Sequence, residues 1–226
     1  MAEVEVFVCD GLHQIDLIHR RVLNGEKIPN CDKIHSLFER HTEWICKGKA
    51  GILQELGKRV CIIEDQHGFV LHHEVMNKVS DKDMVVPFIR ETKELFPSLQ
   101  SSSFDKGYWH PANKAALEEI ITVALPRKGR LSKEAREYEN SPEFIAAAKK
   151  HSAVESCINA LENHGLDRCP DKGEKAFNRY IALAILGRNI QKLGVVIRKN
   201  EQAAKQQSEK IKEGLRRRAA KLKLAA

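Results

Sequence analysis

The chain has 226 residues, only 6% of them aromatic, and no apolar run near the roughly 20 residues that a membrane-spanning helix needs. The longest such run, Ile181 to Gly187, is far too short, so no membrane partner is expected. The first residues carry acids in place of the basic start of a secretory signal. Six cysteines (Cys9, Cys31, Cys46, Cys61, Cys157 and Cys169) include no CxxC pair and no Cys/His cluster at zinc-finger spacing. That excludes a zinc finger and leaves reduced structural thiols as the expectation. A phosphate cradle is missing as well, because no helix start follows the glycines of the loop Lys47 to Gly51. That basic loop reads as a flexible turn, with contact to a phosphate backbone as its alternative.

What the chain does have is unevenly placed charge. From Arg198 onward there are ten Lys and Arg against three Glu, so the last 29 residues hold the whole net charge of +7. Residues 1–197 are neutral by count. An Ala-, Lys- and Gln-rich tail of this kind is helix-prone and able to sit on phosphates with steep salt dependence. The plainer reading is a solvated, frayed helix.

The stretch that organises the rest is Ser101 to Asn113, SSSFDKGYWHPAN. A short strand ends at Phe104 and delivers Asp105 into the turn pair Lys106-Gly107, with its carboxylate at the strand's mouth. Fifty residues on, Glu155 lies on a long apolar-periodic segment that reads as a helix. Two acids so arranged suggest one divalent metal site.

The remaining elements follow from periodicity and punctuation. Alternating Val, Glu and Phe in the first residues fit a strand without an obvious partner, and a helix follows from Ile15 to Leu23, stopped by Asn24-Gly25. Arg59 to Met76 reads as a hairpin turning at Asp65 to Gly68. Met84 to Phe96 reads as a helix with Pro87 in its first turn. His110-Pro111 opens a helix through Ile121, a strand follows, and Arg127 to Arg130 form a basic loop. Ser132 to Tyr138 is a charged helix. Ser141-Pro142 caps a helix reaching about His164, and Phe177 to Val196 reads as a last buried helix.

Seven segments, taken in this order, resemble DDE-type transposases of bacterial insertion sequences. They are IHSLFERHTEW, KGKAG, VCIIEDQHGFVLHHEVM, SFDKGYWHPAN, ALPRKGRLS, HSAVESCINALENHGLDRCPDKG and FNRYIALAILGRNIQKLG. The resemblance runs from about His13 to Val196. It implies an α/β fold of the RNase H-like (retroviral-integrase-like) kind, a mixed sheet with flanking helices. It also implies two Asp and one Glu around a pair of Mg²⁺ (or Mn²⁺) ions, one activating water or a 3′-hydroxyl and the other stabilising the leaving oxygen. Asp105 matches the family's second Asp and Glu155 its final Glu. Read without the family, Asp105 is a plain turn carboxylate and Glu155 one of many surface glutamates.

The family's first Asp has no match, because residues 1–12 do not resemble it and its first strand is expected to be missing or replaced. Asp65 is the stand-in, although it belongs to a hairpin turn. The expected organisation is an unmatched segment 1–12, a helix and linker 13–52, a partial catalytic domain 53–197 and a basic helical tail 198–226. DNA contacts are expected from Lys106, Arg127, Lys128 and Arg130 on the acids' side, and from Arg216, Arg217 and Arg218 in the tail. The expected partners are double-stranded DNA, as insertion-sequence ends and target, and optionally a second copy of the chain. The expected location is the bacterial cytoplasm, on the nucleoid when DNA is bound. Sequence leaves three readings: a truncated transposase, a non-catalytic DNA-binding remnant, and a small Mg²⁺-dependent nuclease using Asp65, Asp105 and Glu155.

Overall fold

The computed structural model describes residues 2–46 and 54–224. The protein is mixed α/β and 60% helical, with small sheets. Its first element corrects the sequence reading, because Ala2–Ile18 form a helix, α1, which runs on through a wider π turn over His19–Leu23. Val4, Val8, Leu12 and Ile15 also fall three or four apart. A helix satisfies its own backbone groups where a strand without a partner cannot. Leu17 is buried, and Asp10, also buried, pairs with Arg40 at 2.9 Å, which fixes α1 to the segment ahead of the sheets.

Strands β1 (Glu43–Cys46) and β2 (Gln54–Gly57) form an antiparallel pair that sequence patterning does not reveal. The basic Lys47 to Gly51 loop between them lies outside the described residues. The expected hairpin is present as β3 (Val60–Glu64) and β4 (Val70–Val75), with a bulge between Ile63 and Glu64. Helix α2 spans Asp81–Leu95, so Pro87 lies in its second turn, not its first. The helix tolerates it because Pro87 and Asp83, whose carbonyl loses its donor, both face solvent. Strand β5 (Ser101–Ser103), helix α3 (Pro111–Glu118) and strand β6 (Thr122–Ala124) follow, with β5 and β6 parallel. Helix α4 covers Lys133–Glu139 and α5 covers Pro142–Leu161. Ser132 and Ser141 cap them through their side chains, accepting from Ala135 and Phe144 N–H.

Among the described residues there are three two-stranded sheets in place of one mixed sheet. Among the described residues β3 and β5 each pair on one edge, and side chains tie the two pairs together. Helix α2 sends Val85 and Ile89 into a core with Phe104, Leu117 and Val123, and Met84 and Phe88 into a second with Cys61 and Met76. Ile63 of β3 packs against both, and the Tyr108 hydroxyl meets the Cys61 thiol at 3.3 Å. On α5, His151 reaches Ser103 of β5, while Cys157 and Leu161 pack with Val70 of β4. The two helices therefore bridge the hairpin and the parallel pair.

The last element, α6 (Glu174–Leu224), is one helix of 51 residues, so no break separates the expected core helix from the basic tail. Ile181 and Ile185 are buried against Val70, Cys157 and Leu161. The Asn189 side chain pairs with both backbone groups of Val70, accepting from its N–H at 2.9 Å and donating to its carbonyl at 2.8 Å. By length and composition α6 is also long and apolar enough to cross a membrane, and only 11% of its apolar window is buried. The sequence count misses this because single bases interrupt each apolar run.

Candidate functional site

Because β5 and β6 are parallel and in register, Ser103 beside Ala124, both chains leave the pair at the same edge. Asp105 emerges from β5 there and Arg127 from β6. Asp105 is exposed and begins the short 3₁₀ turn Lys106–Tyr108, its Oδ1 accepting from the Lys106 N–H at 2.6 Å. Its second oxygen remains open to a ligand. Across the edge, the Arg127 guanidinium lies 5.8 Å from the centre of the Trp109 ring, so a cation–π contact ties the basic loop to the Asp105 turn. The Arg127 N–H donates to Glu139 at 2.7 Å, which holds the loop's base. Lys106, Lys128 and Arg130 are exposed around the same opening.

The aromatic pair beside Asp105 divides its roles. Tyr108 is packed inward on Phe104, and burial, with the Cys61 thiol beside it, pushes its hydroxyl far above the ordinary range. It packs against the core. Trp109 is half-buried against the α2 core.

Glu155 sits on an exposed face of α5, one turn after His151, whose Nδ1 is 3.3 Å from the Ser103 hydroxyl. That contact lies two residues before Asp105, and it brings α5 onto the strand that carries Asp105. One turn on from Glu155, the Asn159 side-chain oxygen accepts from Asn163 at 3.3 Å. Asp65 is occupied by the hairpin turn: Oδ1 accepts from the N–H groups of His67 and Phe69, at 2.8 and 2.9 Å. Among the described residues no three His, Cys, Asp or Glu side chains stand close enough to share a metal ion, so Asp65, Asp105 and Glu155 do not form one ligand set. Arg216 is exposed on α6, while Arg217 and Arg218 continue the same helix with side chains outside the described residues.

Sequence reasoning missed a polar cluster behind the hairpin. The Glu64 carboxyl at the end of β3 approaches Cys157 of α5 and Arg188 and Lys192 of α6. Gly68, at φ +83°, leaves the room: a Cβ there would come within 2.5 Å of the Lys192 ammonium and 3.1 Å of the Glu64 carboxylate. Burial pushes Glu64 above the usual carboxylate range, against the opposing pull of Lys192 and Arg188. The available signal was Arg188 and Lys192 themselves, two bases on the helix face that also carries Ile181 and Ile185.

A carboxyl whose folded pKa is raised favours the fold when protonated, and that contribution is lost as pH rises from the ordinary carboxyl range through the folded value. Glu64→Gln keeps the shape without the charge. Its melting temperature is expected to exceed that of the wild type at pH 7, and the difference to vanish below about pH 4. Equal melting at both pH values would mean that Lys192 and Arg188 fully compensate the buried charge.

No family model, curated protein or solved structure matches the chain.

Proposed function

We propose that the protein is a transposase-type DNA-processing domain that binds DNA at the edge formed by the ends of β5 and β6. The observation that carries this reading is the parallel pair, which delivers the Asp105 carboxylate and the Arg127 loop side by side while α5 lies across β5. Exposed Lys106, Arg127, Lys128 and Arg130 would take phosphates, and Asp105 with Glu155 would take Mg²⁺ or Mn²⁺. Two carboxylates suit Mg²⁺ when substrate phosphates complete its shell. When bound, the ion supplies activation of the attacking oxygen and charge neutralisation at phosphorus. The chain's own residues hold the backbone by charge, with Trp109 stiffening the Arg127 arm. The RNase H-like reading draws support from β3 and β5, each of which lacks a second strand partner among the described residues, as expected where the family's first strand is missing. A cytoplasmic, nucleoid-bound location belongs to the same proposal.

A second reading, a non-catalytic DNA-binding protein, is favoured because, among the described residues, no three His, Cys, Asp or Glu side chains stand close enough to share a metal ion. Nicking of supercoiled plasmid with Mg²⁺ or Mn²⁺ separates the two. Metal-dependent nicking should fall by about 100-fold or more in Asp105→Asn/Glu155→Gln, with DNA binding kept or tightened because negative charge is removed. A folded chain that binds DNA but never nicks it would make the second reading correct. Loss of binding in the double variant would refute the assignment of this edge.

A further inference from the structure

The inward face of α6 is accounted for by Ile181, Ile185, Arg188, Asn189 and Lys192. Its opposite face presents Leu183, Leu186, Ile190, Leu193 and Ile197, which are 57, 54, 60, 49 and 48% exposed. Their spacing is three, four, three, four, the 3.5-residue repeat of a two-helix seam. In heptad terms Leu183, Ile190 and Ile197 take position a, and Leu186 and Leu193 take position d. Ile181 and Arg188 then fall at f, and Ile185 and Lys192 at c. The body of the protein thus covers the back of the helix and leaves the seam free.

We infer that this seam binds the same seam of a second copy of the chain, with the two α6 helices parallel. Three features select that occupant. β-Branched residues at a with Leu at d favour two parallel strands over larger bundles, and Ile190 and Ile197 at a alternate with Leu186 and Leu193 at d. The repeat continues in weaker form through Asn200, Ala204, Gln207 and Ile211, with Ile211 again at a and the polar Asn200 and Gln207 at d, so the seam extends along the helix beyond Ile197. Beside the seam, Gly187 and Gly194 leave open space where a neighbouring helix can approach, with no atom within 4 Å of a built Cβ. A lipid surface would need an apolar face but no 3.5-residue repeat.

Pairing in this sense brings two tails side by side, each with the chain's whole net charge of +7. Their repulsion is screened by salt, so self-association is expected to strengthen as salt rises, the reverse of a charge-paired interface. This holds whether or not Asp105 and Glu155 are catalytic.

Sedimentation equilibrium of the full chain at low and high salt provides the test. The wild type and Gln191→Glu, on the same helix outside the seam, should be dimeric in high salt. Leu186→Glu/Leu193→Glu should raise the dimer dissociation constant by at least about 100-fold with an unchanged circular dichroism spectrum. With the exposed Cys9, Cys31 and Cys46 replaced by Ser, Asn200→Cys should form a disulfide-linked dimer under mild oxidation, since a parallel in-register seam sets the two position-200 side chains face to face. A monomeric wild type at high salt, or a dimer indifferent to Leu186→Glu/Leu193→Glu, would overturn the proposal. So would an intact dimer in which Asn200→Cys fails to cross-link, or a monomer that partitions onto lipid vesicles through α6.

Discussion

Ile89→Ala is expected to lower the unfolding free energy by about 2–5 kcal/mol, the range for emptying a fully enclosed aliphatic site. Ile89 is 0% exposed and stands where α2 meets Phe104, Leu117, Ile121, Val123 and Leu125. The neighbours come from β5, α3 and β6, each tied at its own ends, so they cannot collapse into the space left behind. Because a domain has only about 5–15 kcal/mol to lose, the variant should unfold at markedly lower denaturant with an unchanged slope. The same core supports Phe104, the residue before Asp105, so any activity at that edge should become heat-labile in parallel. A loss below about 1 kcal/mol would mean that α2 does not pack as described.

The second large effect is expected at Asn189→Leu, about 2–4 kcal/mol. The substitution removes two hydrogen bonds and leaves the N–H and carbonyl of buried Val70 without partners, a desolvation cost of about 1–3 kcal/mol for each group left unmade. Amide exchange at Val70 reports the loss directly. Asn189→Asp is informative beside it, since Asp keeps the acceptor for the Val70 N–H but sets an anion against the Val70 carbonyl. It should be no more stable than the Leu variant, whereas a neutral effect would show that the amide's donor half is idle.

These two sites differ in how far the sequence announces them. Local chemistry is legible: Ser141 before Pro142 caps as read, Ser132 caps the charged helix that the sequence starts at that residue, and Asp65 to Gly68 turns the hairpin. Ile89 is recoverable from the apolar spacing of α2. Asp105 stands at its strand end because Lys106-Gly107 demands a turn there. What periodicity cannot show is pairing at a distance. Glu43–Cys46 and Gln54–Gly57 pair although neither run is patterned as a strand, and α1 takes a helix although its valines alternate. Asn189 reads as one more polar residue on a long helix until Val70 is placed beside it. Glu64 likewise acquires meaning only when α6 brings Arg188 and Lys192 behind the hairpin. The separation of β3 from β5 belongs to the same class, since nothing in either strand's composition tells which edge stays unpaired.

The Asn189 amide is also a fulcrum. From it to the end of α6 at Leu224 are 35 residues of unbroken helix, about 52 Å of rod at 1.5 Å per residue. A tilt of about 10° at the clamp therefore swings the far tip by about 9 Å, more than the full pitch of the helix itself. The fit of the Asn189 amide on the Val70 backbone, with the burial of Ile181 and Ile185 behind it, sets the aim of the bases along the tail.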